Sequence, residues 1–327
     1  MKKIFSSLLI VTMIILNLST LSVLAKDNDN GSTIKLELKV DEANGISYTN
    51  YDGTEYGPSS FALSNNYIYL LDSNKKLIYQ CKDNKILNKI DINFIEYPID
   101  IRVIKNKIWV LDRENSIIYL LNIDGKLIKE KELKNTINSP ALLLDYYGDE
   151  YLIKDINNNV YEIDDNLNIK LCSNINEKVK RVNNKKGVIL FNNRKSDINI
   201  NFNELFGTIK VLHEDNNNTY INVEEVLDAP IITVEQTVRK YDQKGNLLGI
   251  ARIPLELYYA YPERFVDVDN NGNIYALVET KDNIEVIKLD LDQNFQSKLP
   301  KLKEEINNQL INNTNKIAPS IEPGSSM

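Results

Sequence analysis

The sequence predicts an all-β fold, a six-bladed β-propeller made of four-stranded antiparallel blades. Two observations support this prediction. An internal repeat begins at Pro58, again 40 residues later at Pro98, and again 42 residues later at Pro140. Each repeat contains four short apolar runs that are separated by turn residues. Four strands in roughly 40 to 45 residues are typical of a propeller blade, and six such units fit between residues 32 and 296.

The three repeats align without gaps over 24 residues, and large apolar side chains recur at matching positions. The matching sets are Phe61, Ile101 and Leu143, followed by Tyr69, Trp109 and Tyr151. Because these aromatic residues lie in the middle of apolar runs, we expect them to pack between neighbouring blades. The same position in the last unit is Tyr275.

The first unit supplies the predicted strand boundaries. They are Phe61–Leu63, Tyr67–Asp72, Leu77–Cys81 and Ile86–Ile90. In the second unit, the turn before the fourth strand is Asp124-Gly125, a strong hairpin signal. The units after residue 175 are looser. The segment 175–208 matches the repeat poorly, whereas the segment from Pro262 to Val278 matches it well.

A ring of blades needs a strand that closes it, because an open edge exposes unpaired backbone groups. Thr33–Val40 alternates with period two and places Ile34, Leu36 and Leu38 on one face. We predict that this segment is the outer strand of the last blade. The alternative is that the last blade completes itself with Phe295–Leu299.

Residues 1–25 are typical of a signal peptide, with Lys2 and Lys3 before an apolar run and Ala25 at the cleavage point. The alternative is an uncleaved membrane anchor. With cleavage, the propeller domain spans residues 26–299, and residues 300–327 form a partly disordered tail with a short helix near 301–311. We therefore expect a secreted protein, extracellular or associated with the cell envelope, whose mature chain does not insert into a membrane.

Three segments resemble the NHL-type repeats of secreted bacterial six-bladed propellers. They are Gly57–Phe61, Ile68–Asn74 and the hairpin Asp269–Tyr275. The resemblance implies a propeller that serves mainly as a binding scaffold. The same fold also carries lactonases and lyases, so fold alone does not choose between binding and catalysis.

Composition excludes several function classes. The chain of 327 residues has a net charge of −7, which disfavours nucleic-acid binding. One histidine and two cysteines rule out zinc fingers, multi-histidine metal sites and disulfide frameworks. We interpret His213 and Cys81 as structural. No phosphate-binding or dinucleotide-binding glycine motif occurs, and we expect no cofactor.

The candidate ligand-binding residues are Asp72, Asp112, Tyr97, Tyr261 and Arg264. They lie on what we call the loop face, formed by connections between blades and by the turns from the second to the third strand of a blade. Carboxylates, exposed aromatic rings and an arginine suit a sugar or peptide groove. Alternatively, the two aspartates cap their own turns and the tyrosines pack on the rim.

Asp267-x-Asp269-x-Asn271-Gly272 has the opening spacing of a calcium loop, but Val278 stands where such a loop needs a glutamate. The alternative is an ordinary hairpin turn. We assign no metal ligand.

The leading functional hypothesis is a secreted, non-enzymatic binding module that recognises an extracellular protein, peptide or glycan on the loop face. The rival hypothesis is a metal-assisted hydrolase or lactonase of the six-bladed type, which needs several carboxylate oxygens around one cation. A third reading is a purely structural envelope protein. The chain lacks a complete catalytic constellation, which favours a protein that is not an enzyme.

Overall fold

A computed structural model describes residues 32–41, 46–64, 66–137, 139–147, 150–157, 159–172, 177–191, 196–215, 217–227, 233–297, 299–301 and 303–304. Its sheets are antiparallel blades arranged in a ring, which confirms the predicted six-bladed propeller. Five blades have four strands, and the described part of the fourth has three.

The strands follow the chain from blade one to blade six. Blade one contains β4 (Ser60–Ser64), β5 (Tyr67–Asp72), β6 (Leu77–Lys82) and β7 (Lys85–Asp91), preceded by the hairpin of β2 (Thr49–Tyr51) and β3 (Thr54–Tyr56). Blade two contains β8 (Pro98–Ile104), β9 (Lys107–Asp112), β10 (Ile117–Asn122) and β11 (Leu127–Glu132). Blade three contains β12 (Ala141–Tyr147), β13 (Glu150–Asp155), β14 (Val160–Ile163) and β15 (Ile169–Leu171). Blade four contains β16 (Glu177–Asn183), β17 (Lys186–Phe191) and β18 (Ile198–Asn201). Blade five contains β19 (Leu205–Glu214), β20 (Asn218–Leu227), β21 (Thr233–Asp242) and β22 (Leu247–Ile253). Blade six contains β23 (Val266–Val268), β24 (Ile274–Glu279), β25 (Asn283–Leu289) and β1 (Ser32–Lys39). A 3-10 turn spans Leu255–Leu257.

The apolar core lies between blades, because each sheet buries side chains on both of its faces. Trp109 of blade two packs on Tyr151 of blade three with ring centroids 4.3 Å apart. Tyr69 is 2% exposed and joins the core between blades one and two. These contacts confirm that the recurring mid-strand aromatic residues form inter-blade core.

The N-terminal strand closes the ring. β1 pairs antiparallel with β25, and Leu36 lies opposite Val286 in the ladder. Leu36 and Leu38 are buried as predicted. The prediction was wrong for Ile34, which is half exposed, because the ladder shifts register between Ile34 and Leu36.

The first strands of the blades meet at the centre of the ring. β4 contacts β8, β8 contacts β12, and β19 contacts β23. β12 also contacts β19 directly, although blade four separates them along the chain. The centre is therefore bordered by strands whose polar side chains can reach one another.

The predicted signal peptide and most of the predicted tail lie outside the described residues. Residues 299–301 and 303–304 are helical, and Lys303 Nζ lies 3.1 Å from Glu204 Oε2 at the start of blade five. Within the part of the chain that the structure describes, no helix is long and apolar enough to span a membrane.

Candidate functional site

The centre of the ring is occupied by charged side chains, which we call the axial cluster. Its members are Asp100, Arg102, Asp145, Lys154, Lys210, Arg264 and Asp267. They come from the first or second strands of blades two, three and five and from the start of blade six. The cluster therefore connects blades that are far apart in sequence.

Arg264 and Asp100 form the strongest link of the cluster. Arg264 Nε donates to Asp100 Oδ1 at 2.8 Å, and the guanidinium also reaches Asp100 Oδ2 and the Leu144 carbonyl. Ser60 Oγ and the Leu144 N–H donate to the same carboxylate at 2.6 and 2.8 Å. Burial opposes the charge of Asp100, but the arginines beside it outweigh burial and hold its pKa below the ordinary value.

Arg102 holds the other two carboxylates of the cluster. Its guanidinium donates to both oxygens of Asp267 at 2.5 and 3.1 Å and lies 3.6 Å from Asp145. Lys154 Nζ lies 3.5 Å from Asp145 and donates to the Val211 carbonyl at 3.2 Å, which joins blades three and five. Each carboxylate of the axial cluster thus has a cationic partner.

Lys210 is the remaining cation. It lies on β19, where Val211 and His213 are buried while Thr208 and Lys210 are exposed. Among the described residues, no ion pair within 4.0 Å and no hydrogen bond involves its ammonium group. Loss of hydration, together with the charges of Arg264 and Lys154, lowers the pKa of Lys210 to about 8.

A cavity of about 210 Å³ adjoins the axial cluster. Blade two contributes Ile99, Asp100 and Arg113, blade three Asp145, blade five Lys210–Leu212 and Asn222, and blade six Glu263–Asp267. Because Arg113 and Glu263 belong to connections on the loop face, the cavity reaches that face. We call it the central cavity.

At the rim, Arg113 and Glu263 lie 3.5 Å apart and connect blade two to blade six across blade one. Tyr261, two residues before Glu263, is 64% exposed and stacks on Tyr258 with ring centroids 5.0 Å apart. Tyr97 is half exposed, and its backbone N–H donates to Asp112, the neighbour of Arg113. One exposed tyrosine thus lies two residues from Glu263, and the other is hydrogen-bonded to the residue before Arg113.

The predicted aspartates are placed differently from the predicted tyrosines. Asp72 and Asp112 are fully buried, and each accepts a hydrogen bond at 2.9 Å from the backbone N–H three residues later, at Lys75 and Asn115. This is the turn-capping geometry that the sequence left open as an alternative. Ligand contact by these two carboxylates remains a prediction.

Asp267 and Asp269, the first two oxygen ligands that a calcium loop would use, bond to different parts of the protein. Asp269 caps its hairpin by accepting the N–H groups of Asn271 and Asn273, whereas Asp267 points into the axial cluster. The two carboxylates therefore have separate structural roles, which matches the hairpin-turn alternative. Over the described ranges, no three His, Cys, Asp or Glu side chains are grouped as a metal site requires.

A further buried carboxyl group lies where blade six meets blade one. Glu279 is 1% exposed and ends β24. Burial, and then the charge of Asp72, raises the pKa of Glu279 from 4.5 to about 8, although a hydrogen bond from the Gly57 backbone opposes the shift. Neutral and ionised forms of this group thus both occur near physiological pH.

Sequence reasoning identified Arg264 but missed the remainder of the axial cluster. One signal was available. The residue two positions after the proline that precedes the first strand is Ser60, Asp100 or Arg264 in three of the units, and the Ser60 and Arg264 side chains both donate to Asp100. A polar residue at a repeat position beside buried apolar residues indicates a position that faces the ring centre.

The solved structures that this chain resembles share little sequence with it. No family model matches the chain, and no curated protein matches it. A catalytically inactive virginiamycin B lyase from Staphylococcus aureus is 14% identical, with a TM-score of 0.44 over 75% of this chain and 99% of that one. A DUF4221 family member from Bacteroides vulgatus is 12% identical, with a TM-score of 0.48 over 80% and 98% of the two chains. Glutaminyl cyclase from Myxococcus xanthus is 8% identical, with a TM-score of 0.42 over 80% and 97%.

Proposed function

We propose that this protein is a secreted, non-enzymatic propeller of the NHL type that binds its ligand at the loop face, in the mouth of the central cavity. The observation that carries the proposal is the cavity itself, which four blades line with both polar and apolar side chains. Concave sites with a few convergent polar groups are the usual places where proteins bind small ligands or the end of a larger one.

The rim supports recognition of a sugar or a peptide. Tyr97 and Tyr261 offer exposed aromatic faces, and Arg113 and Glu263 offer a hydrogen-bond donor and acceptor between them. Aromatic rings pack against sugar rings and peptide side chains, while charged groups fix the orientation of the ligand. The extracellular partner is therefore a glycan, a peptide or a protein segment.

The pairing within the axial cluster favours binding over metal-assisted hydrolysis. Asp100, Asp145 and Asp267 each contact an arginine or a lysine. A divalent cation would have to displace those partners before it gained carboxylate ligands. A thermal-shift comparison with Ca²⁺, Mg²⁺ and Zn²⁺ tests the hydrolase alternative, since a metal bound only by the folded state raises the melting temperature.

The site is tested by a glycan and peptide screen followed by paired variants. Tyr97→Ala with Tyr261→Ala alters the loop face, and Asn270→Ala with Asn271→Ala alters exposed residues on a hairpin at the opposite end. We expect the tyrosine pair to weaken binding by about ten-fold or more and the asparagine pair to leave it unchanged. Loss of binding only in the asparagine pair would place the site at the opposite end of the ring and contradict binding at the loop face.

Export is tested separately. Mass spectrometry of protein recovered outside the cells that express it should show a chain starting at Lys26. A chain that still carries residues 1–25 and stays with the membrane would identify the segment as an anchor.

A further inference from the structure

We propose that the central cavity binds an oxyanion, the carboxylate or phosphate group of a ligand, and that Lys210 is the side chain that captures it. This inference rests on the proposed function, because it names the chemistry of the group that enters the same cavity. The juxtaposition that carries it is the Lys210 ammonium group on the cavity wall, which has no ion-pair or hydrogen-bond partner in the described part of the chain, next to carboxylates that are all paired.

The position of Lys210 follows from the alternation of β19. Val211 and His213 point into the protein, and the side chains of Thr208 and Lys210 lie on the other face of the same strand. Lys210 lines the central cavity together with Arg264 from blade six. Two cationic side chains from different blades therefore border one cavity.

The charge balance of the axial cluster leaves one cation over. Arg102, Lys154, Lys210 and Arg264 are cationic, whereas the cluster has only three carboxylates. Arg264 pairs with Asp100, and Arg102 and Lys154 share Asp145 while Arg102 also holds Asp267. Every carboxylate is thus engaged by a cation other than Lys210.

The groups that face Lys210 make this excess charge unfavourable in the free protein. Loss of hydration disfavours its charged form most, Arg264 and Lys154 also repel it, and Asp100 and Asp145 attract it, so that the net effect lowers the pKa of Lys210. An oxyanion would supply the missing countercharge and accept charge-assisted hydrogen bonds from Lys210. Such a ligand stabilises the protein most strongly where Lys210 is protonated.

The experiment measures the melting temperature of the whole protein in sodium phosphate and, separately, in sodium acetate, at an ionic strength held constant with sodium chloride. The two anions distinguish a phosphate from a carboxylate ligand. Lys210→Met removes the charge but keeps a long side chain, and Lys126→Met removes an exposed lysine on the second blade as a matched control. The control corrects for the general effect of salts on stability.

We expect at least one of the two anions to raise the melting temperature of the unaltered protein and of Lys126→Met, and to lose this effect in Lys210→Met. Isothermal titration should show at least a roughly ten-fold weaker dissociation constant for Lys210→Met, as expected for the loss of one charged hydrogen bond. The stabilisation should also fall as the pH rises through about 8, as Lys210 loses its proton.

An equal response of Lys210→Met and Lys126→Met to both anions, or no response of the unaltered protein, would overturn the oxyanion inference. The proposed function is judged by a different readout. If a neutral glycan binds the unaltered protein and Lys210→Met equally and is lost in the Tyr97 and Tyr261 variant, loop-face binding stands while the oxyanion inference fails.

Discussion

Arg264 and Asp100 join the last blade to the second through two hydrogen bonds, although 164 residues separate them in the chain. Asp100 is buried and the Arg264 side chain is 11% exposed, and the same carboxylate also accepts a hydrogen bond from Ser60 of blade one. This pair therefore couples three blades at the place where the ring closes.

Replacing one partner of this pair should destabilise the protein strongly. Arg264→Met leaves Asp100 buried without its principal counterion, and we expect a loss of about 3 to 5 kcal/mol in the free energy of unfolding. Urea denaturation measures the change. The double variant Arg264→Met with Asp100→Asn should lose less than the sum of the single variants.

The control is the exposed pair of Lys107 and Asp165, whose charged atoms lie 3.0 Å apart. Lys107→Met should cost at most about 1 kcal/mol, because water screens exposed ion pairs. An equally small loss for Arg264→Met would contradict a stabilising role of the central pair.

The stability of the protein should decrease as pH rises from about 4.5 to about 8, because of Glu279. The pKa of this group is raised in the folded state, so the folded state binds its proton more tightly than the unfolded state does. Its contribution to stability is complete below the unfolded value and is lost as pH rises through the folded value. The full difference is on the order of 5 kcal/mol.

Glu279→Gln removes this titration while keeping the shape of the side chain. Urea midpoints measured from pH 5 to 9 should therefore fall less steeply for Glu279→Gln than for the unaltered protein. Glu130→Gln, on the exposed strand β11, serves as the control. If the urea midpoints of the unaltered protein and of Glu279→Gln change in parallel with pH, the raised pKa of Glu279 is contradicted.

Removing the N-terminal strand should open the ring. A chain that begins at Asn50 lacks β1 and should unfold at a lower urea concentration than one that begins at Lys26. Burial of Leu36 and Leu38 alone contributes about 1.5 to 3 kcal/mol each. Identical unfolding midpoints would show that β1 does not hold the last blade.

Point variants make the same test without truncation. Leu36→Ala should cost about 2 to 5 kcal/mol, since its side chain is fully buried in the core between blades six and one. Ile34→Ala is the matched control and should cost much less, because Ile34 is half exposed.

Asp269→Ala should destabilise the hairpin without affecting ligand binding. Asp269 accepts two backbone N–H groups and the side-chain amide of Asn273, so its loss should cost about 1 to 2 kcal/mol. Thermal unfolding measures the cost. A loss of ligand binding at temperatures where this variant is fully folded would show that the hairpin end takes part in recognition.

The strands were predictable because each repeat carries its own local pattern. Tyr67–Asp72 has the predicted bounds, and the other strands of blade one differ by one residue at their ends. The bulge that exposes Ile34 was not predictable, because register depends on the partner strand rather than on alternation alone.

The site was less predictable, because its pairs form between blades. The sequence around Asp267 is typical of a turn. Only the closed ring brings Asp267 to Arg102, which is 165 residues away in the chain. Asp72 and Asp112 are residue types that suit ligand binding at the loop face, yet one oxygen of each accepts a local backbone N–H. Composition indicates which charged side chains are present, whereas the geometry of the closed ring decides which of them form ion pairs.

The strand that closes the ring also sets the order in which the fold can be completed. Among the described strands β1 is made first and its partner β25 last, and Asn283 donates a hydrogen bond to Glu37 across 246 positions of the chain. β1 therefore cannot form its ladder with β25 until the residues of the five preceding blades have been made. Completion of the propeller is a late, long-range event, and the high sequence separation of this final pairing should make it slow compared with formation of each hairpin.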